Sequence, residues 1–120
     1  MRAPGPFAVL EIVDQTSKND GSDIFVVTMM SLEGLIVHTY IDPSNKNFKF
    51  WVDIIDLFNI GFGVVIDDLN YKMKQGVIQT RYIKNWNRNE PLINADSKPK
   101  IKYRFETQQE VLDILAEELA

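Results

Sequence analysis

The sequence has no cysteine, only one histidine among its 120 residues, and no long apolar segment. Without cysteine, a disulfide scaffold, a thiolate zinc site and a cysteine nucleophile are all excluded, and the composition suits a reducing cytosol. No run approaches the roughly 20 apolar residues that a membrane helix needs. The N-terminal residues lack the apolar core of a signal peptide. We therefore expect a soluble, cytoplasmic, single-domain protein.

Residues suited to catalysis or to metal binding are few. His38 lies in a predicted strand with no nucleophile near it in sequence, so a strand histidine is a better interpretation than a catalytic base. Asp67 and Asp68 are adjacent, and on an extended chain their carboxylates point to opposite faces instead of converging on a metal ion. Gly61 and Gly63 lack the rest of a phosphate-binding loop and are interpreted as a helix stop. The sequence predicts a protein that is not an enzyme and that has neither a cofactor nor a metal.

Charge is distributed unevenly along the chain, although the net charge is only −4. Residues 1–70 hold ten acidic and four basic side chains, and residues 71–104 hold two acidic and nine basic ones. Residues 106–120 hold five acidic side chains and no basic one. A binding surface responds to the local field and not to the total, so the basic stretch indicates an anionic partner.

Hydrophobic periodicity predicts that the N-terminal part of the chain is made of strands. Stretches rich in β-branched and aromatic residues alternate with polar turns, and Asn19-Asp20-Gly21 is a strong hairpin signal. The predicted strands are Phe7–Val13, Ile24–Met30 and Leu35–Ile41. They are expected to form a three-stranded antiparallel meander.

A helix is expected over residues 45–59, because the spacing of apolar residues changes there from two to three and four. Its apolar stripe consists of Phe48, Trp51, Val52, Ile55 and Phe58. The remaining predicted elements are a short strand at 64–66, strands at Val77–Trp86 and Lys98–Phe105, turns at 87–91 and 94–97, and a helix at Glu106–Leu119.

Three strands, a helix and two more strands form the element order of the oligonucleotide/oligosaccharide-binding (OB) fold. We therefore expect a mostly β (β+α) protein: a five-stranded antiparallel OB-fold barrel with one helix between strands 3 and 4 and a C-terminal helix. The barrel is expected to comprise residues 1–105, with helix 45–59 packed across one end. Residues 106–120 form a separate acidic, amphipathic segment.

The last predicted strand carries a basic residue at every second position. Alternation along a strand would put these four side chains on one face and would direct Ile101, Tyr103 and Phe105 into a core. The four basic residues are Lys98, Lys100, Lys102 and Arg104. Two interpretations stay open: an edge strand that uses lysine to block aggregation, and an anion-binding face. Four like charges on one face favour the second.

The preceding predicted strand adds aromatic residues to the basic stretch. Alternation would place Tyr82, Lys84 and Trp86 on one face. Proteins that bind single-stranded nucleic acid combine a positive groove with aromatic side chains, because every base has a π-face that can stack. The other interpretation is that Tyr82 and Trp86 belong to the core.

With these patterns the chain resembles the small single-stranded DNA-binding proteins of bacteriophages, of the OB-fold kind found in lactococcal phages. The stretches that carry the resemblance are LIVHTYI, NKNFKFWVDIIDLFNIG and DLNYKMKQGVIQTRYIKNW. The resemblance implies an OB barrel that acts in DNA replication and recombination, binds single strands without base specificity and self-associates into a homo-oligomer. The binding residues that it implies are Lys72, Lys74, Arg81, Tyr82, Lys84 and Trp86.

Other partners and functions stay open at this point. Phage or host recombination proteins are candidate partners, and a phage protein would act in the cytoplasm of the host cell. The rival hypothesis is a structural or protein-interaction module of a phage or mobile element that binds no nucleic acid. RNA is a third option, because stacking and phosphate contacts do not read the 2′-hydroxyl. Residues 106–120 would either pack as a helix or act as a mobile acidic tail.

Overall fold

The computed structural model describes residues 2–3, 6–16, 21–67, 69–73 and 92–119, which contain eight strands and two helices. In chain order the elements are β1 (Arg2–Ala3), β2 (Phe7–Thr16), β3 (Asp23–Ser31), β4 (Ile36–Ile41), α1 (Phe48–Asn59), β5 (Gly63–Ile66), β6 (Leu69–Met73), β7 (Leu92–Ala95), β8 (Ile101–Phe105) and α2 (Gln108–Leu119).

Five of the strands form an antiparallel sheet in the order β4-β3-β2-β5-β8. The predicted meander is confirmed, since β2 pairs with β3 from Phe7↔Ser31 to Thr16↔Asp23 and β3 pairs with β4. The short strand suggested at 64–66 is also present, as β5. The protein is therefore mostly β with two helices, as the periodicity predicts.

Three further strands extend the sheet beyond β4, and one of their pairings corrects the sequence-based prediction. β7 pairs with β4 in parallel, through His38↔Leu92 and Thr39↔Ile93. β6 then pairs with β7, and β1 with β6, both antiparallel. The expectation of wholly antiparallel strands is therefore wrong. Parallel neighbours need a long crossover, whereas turn signals in a sequence report only local antiparallel pairs.

The expected closed barrel is not seen in the hydrogen-bonded strand order. Within the described residues the order begins at β1 and ends at β8, and these two strands do not pair with each other. The turn predicted at 94–97 is wrong in its first half, because β7 includes Asn94 and Ala95. Pairing with β4 and β6 on its two sides outweighs the turn preference of asparagine there. The predicted strand 77–86 and the predicted turn 87–91 lie outside the described residues.

Helix α1 packs its predicted apolar stripe into the main core. Trp51, Ile54 and Ile55 are buried, and the outer members of the stripe pack against the same cluster: Phe48, Val52 and Phe58. The helix begins three residues later than predicted, because residues 45–47 form turns instead. Asn45 contributes to that arrangement by donating a hydrogen bond from Nδ2 to the carbonyl oxygen of Ala95 at 2.8 Å.

Gly61 ends helix α1, as the sequence predicts. Its φ is +113°, a left-handed conformation that is costly for any residue with a Cβ atom. The Gly61 N–H donates to the carbonyl oxygen of Phe58, and the Phe62 N–H donates to that of Leu57. These bonds satisfy carbonyls of the last helical turn, and the chain then turns into β5.

The two helices pack against opposite faces of the sheet. Val64 and Ile66 belong to the cluster that contains α1, whereas Val65 packs with the cluster of α2, as alternation along a strand requires. α2 is held there by Val111 and Leu115, its buried residues. The predicted acidic segment 106–120 thus contains a packed helix over 108–119.

Replacing Gly63 by alanine should destabilise the contact between β5 and α2. The added methyl group would overlap Val111 Cγ2 and would lie 2.7 Å from the Thr107 carbonyl oxygen and 3.2 Å from Phe105 Cβ. Backbone cannot move aside cheaply, so we expect a loss of about 1–3 kcal/mol in the free energy of unfolding. Urea denaturation measures it. Adding Val111→Ala should relieve the overlap only in part, and an unchanged midpoint for Gly63→Ala contradicts the close packing.

Candidate nucleic-acid interface

The four basic residues predicted to share a face lie in a segment that is only partly a strand. β8 begins at Ile101, so Lys98 and Lys100 precede it. The register between β5 and β8 shifts at this point. Val65 pairs with Tyr103 and Ile66 pairs with Ile101, so β8 has one extra residue between the two pairs. Such a bulge interrupts strict alternation, so the expectation of one unbroken alternating strand is wrong. All four basic side chains are nevertheless exposed: Lys98, Lys100, Lys102 and Arg104.

The apolar residues of β8 are more exposed than the sequence predicts. Ile101 and Tyr103 are 42% and 54% exposed, whereas we expected both in a core. Phe105 is half-buried and packs against the cluster that contains α2. β8 has β5 on only one side within the described sheet, and its side chains extend beyond the core that the central strands cover.

Lys98 and Lys49 both lie over the ring of Phe50 in α1. The Lys98 Nζ is 4.2 Å from the ring centroid and the Lys49 Nζ is 5.2 Å from it. Both distances are within the range of a cation–π interaction. Phe50 is half-buried and lies outside the predicted apolar stripe of α1.

A third cation, that of Arg104, lies over an aromatic ring beyond the other end of α1. The Arg104 Cζ is 4.8 Å from the centroid of Phe62, which follows the helix. Arg104 pairs with Val64 in the sheet, so its side chain lies on the face that α1 covers. Residues 98–104 thus run alongside α1 from its first turn to just past its last.

The two ring contacts lie at opposite ends of α1, since Phe50 is in its first turn and Phe62 follows its last residue, Asn59. We call this surface the α1–β8 face and define it by Lys49, Phe50, Phe62, Lys98 and Arg104. It presents a cation over a ring at each end.

The cations of the α1–β8 face contact aromatic rings and not carboxylates within the described part of the chain. Among the described residues, none of its basic side chains forms an ion pair with a carboxylate. The adjacent Asp67 is joined to the basic segment through its backbone, since its N–H donates to the carbonyl oxygen of Lys100 at 2.9 Å. Cations without a described carboxylate partner favour a local positive field on a protein whose net charge is −4.

The side chains implied by the resemblance are not placed by the described structure. Lys72 lies in β6, where its backbone pairs with Asn94. The others lie outside the described residues: Lys74, Arg81, Tyr82, Lys84 and Trp86. Their roles stay predictions. Sequence reasoning missed Lys49, Phe50 and Phe62, although an aromatic residue off the apolar stripe of a helix was a usable signal.

The opposite face of β8 has a different character. An apolar groove of about 350 Å³ runs between α2 and the sheet, with walls that include Leu32, Tyr103 and Ile114. Lys102 lies at the Tyr103 side, its Nζ 5.8 Å from that ring centroid. The groove is bordered by α2, which has four acidic residues and no basic one, and this charge disfavours a polyanion there.

Other polar residues fit structural roles in the described part of the chain. His38 is buried in β4 and shares a 2.8 Å hydrogen bond with Thr28 of the neighbouring strand. In the same part of the chain there is no group of three side chains that could hold a metal ion. Neither helix, at twelve residues each, is long and apolar enough to cross a membrane.

No protein-family model, curated protein or solved structure matches the chain. Its class is therefore defined by architecture and surface alone. The described part of the chain is mostly β with two helices, and one of its faces presents cations and aromatic rings.

Two acidic residues with interacting charges lie where β2 ends and β3 begins: Asp14 and Asp23. Burial raises the pKa of the Asp14 carboxyl, and the charge of Asp23 raises it further. A raised carboxyl pKa means that the ionised form is disfavoured in the folded protein. Ionisation of Asp14 therefore lowers the free energy of unfolding above that pKa, and this destabilisation is lost as the pH falls through the pKa.

The variant Asp14→Asn should therefore melt at a higher temperature than the parent at pH 7. The difference should shrink as the pH is lowered toward the ordinary pKa of aspartate, because the parent then becomes neutral at this position. Thermal melts across that pH range measure it. Asp23→Asn removes the second cause and should shift the melt in the same direction. A lower melting temperature for Asp14→Asn at pH 7 contradicts the assignment.

Proposed function

We propose that this chain is a single-stranded DNA-binding protein that acts without sequence specificity in phage DNA replication or recombination. The observation that carries the proposal is the α1–β8 face, where exposed cations that form no ion pair with a described carboxylate lie over aromatic rings. The phosphates would bind the cations and the unstacked bases would stack on the rings, which is the combination that single-strand binders use.

We further propose that the fold is of the OB type. β5 and β6 are consecutive, separated only by residues 67 and 68. β5 pairs with β2 at one edge of the meander, whereas β6 pairs with β7, which lies at the other edge. Two strands with only two residues between them thus pair with strands at opposite edges of the β2–β3–β4 meander. This supports a small, partly open barrel in which the described end strands do not pair with each other.

A single strand fits the face better than a duplex. Rings can stack only on bases that are out of a duplex, so Phe50 and Phe62 would contribute nothing to duplex binding. Lys49, Lys98 and Arg104 can contact the phosphates of any sequence, so the proposed binding needs no base specificity. RNA has the same phosphates and bases, and comparing oligo-dT with oligo-U in one assay separates the two.

A second candidate function is a protein-interaction module of a phage or mobile element. The observation that favours it is the apolar groove beside α2, because large exposed apolar surfaces often mark protein-binding sites. This function needs no nucleic acid, so a chain that fails to bind oligo-dT would support it.

Binding to fluorescent oligo-dT should weaken steeply as salt increases. The log–log slope should be about −0.7 for each phosphate contacted, because each contact releases counterions from the strand. Lys98→Ala and Arg104→Ala should each make the slope shallower by about one contact. Lys46→Ala, an exposed lysine outside the α1–β8 face, removes the same charge and should leave the slope close to that of the parent. Fluorescence anisotropy measures all of these.

Three results would count against this proposal. The first is an affinity that does not change with salt, and the second is tighter binding to duplex than to single strands. The third concerns the four bases together: Lys98, Lys100, Lys102 and Arg104. If the variant with all four replaced by alanine folds normally and keeps the parent's salt slope, these residues do not form the binding surface. Lys72, Lys74 and Arg81 then become the next candidates.

Self-association is a further expectation of the proposed function. One OB barrel covers about 4–16 nucleotides, and an oligomer would present several faces to one strand and gain by effective concentration. Light scattering at the concentrations used for binding should therefore give a mass above the 13.8 kDa of one chain. A strict monomer with and without oligo-dT contradicts this expectation.

A further inference from the structure

We infer that Phe50 and Phe62 are base-stacking positions, one at each end of the DNA path along the α1–β8 face. This inference rests on the proposed function and adds to it the positions where bases bind. In the protein alone, Lys98 and Arg104 lie over these rings at 4.2 and 4.8 Å. When DNA binds, the cations move to phosphates and the rings accept bases.

The position of Phe50 on α1 supports this role. The helix faces the core with Trp51, Ile54 and Ile55, which are all buried. Phe50 lies on the flank of the helix, where its ring is half-buried and is approached by two lysines. Phe50 is not among the residues that pack against either core cluster of the described structure, so core packing does not account for an aromatic residue at this position.

Phe62 has the complementary arrangement at the other end. Part of its ring packs against the main core, which fixes its orientation. The guanidinium of Arg104 lies over the ring and forms no ion pair with a described carboxylate. A cation held only by a ring is easily displaced toward a phosphate, because a charge-assisted contact with an anion is the stronger of the two.

Tyr103 is the most exposed ring in the described part of the chain, but it lies on the other face of β8. Its partner in the sheet is Val65, which packs with the cluster of α2. That side carries the acidic residues of 106–119 and the apolar groove. Tyr103 is therefore the matched control: an exposed aromatic residue of β8 itself, on the side of the strand away from the proposed path.

The test compares Phe50→Leu, Phe62→Leu and Tyr103→Leu in the full chain, with oligo-dT as the probe. Leucine keeps an apolar side chain but has no ring on which a base can stack. Each phenylalanine variant should lose about fivefold to hundredfold in affinity, the range of one base–aromatic stack. The salt slope should stay at the parent's value, because no phosphate contact is lost. Tyr103→Leu should bind like the parent.

Thermal melts decide whether a loss of affinity comes from unfolding. If a leucine variant melts well below the parent, Phe50→Trp and Phe62→Trp replace it, since both keep a ring. The tryptophan emission of these variants should then be quenched by oligo-dT more strongly than that of the parent. Such quenching reports a base on the ring and does not depend on a stability difference.

The outcomes separate this inference from the proposed function. If the parent binds oligo-dT with a steep salt slope and both leucine variants keep its affinity, the stacking assignment is wrong and the proposed function stands. If the tryptophan variants bind oligo-dT without additional quenching, the stacking assignment is likewise wrong and the proposed function stands. If the parent does not bind single strands at all, the proposed function fails and the stacking assignment fails with it.

Discussion

The burial of one face of α1 against the inner face of the sheet is the contact on which the rest of the structure depends. Trp51 is completely buried there, together with side chains from β2 and β5 such as Phe7 and Val64. Its Nε1 has no hydrogen-bond partner within the described part of the chain, so the apolar contact must outweigh a desolvation cost. This contact determines which flank of the helix faces residues 98–104 and thereby positions Phe50 beside Lys98.

The β8 segment divides the surface into two regions with different chemistry. On the side of α1, cations lie over rings, and on the side of α2 there is an apolar groove next to an acidic helix. The division arises because alternate residues of β8 have different neighbours: Arg104 lies with Val64 and Tyr103 lies with Val65. The local field is therefore positive on the first side and negative beside the acidic helix on the second, so the net charge of the protein describes neither side.

Local patterns in the sequence predicted the elements well and the long-range pairs poorly. The meander, the helical stripe around Trp51 and the stop at Gly61 each depend on residues close together in the chain, and each is confirmed. The parallel pair β4–β7 joins residues more than fifty positions apart, and no turn signal marks such a pair. The bulge in β8 and the exposure of Ile101 depend likewise on the end position of that strand in the sheet.

The candidate site shows the same division between local pattern and tertiary contact. The sequence by itself determined that residues 98–104 are basic and that the acidic residues lie elsewhere, since both are counts along the chain. Only the tertiary structure decided which aromatic residues lie beside those cations, because Phe50 and Lys98 are 48 positions apart and meet through the packing of α1 on the sheet. A periodic pattern reports the face on which a side chain lies within its own element. Its neighbours from other elements depend on how the elements pack, and that is a property of the whole core.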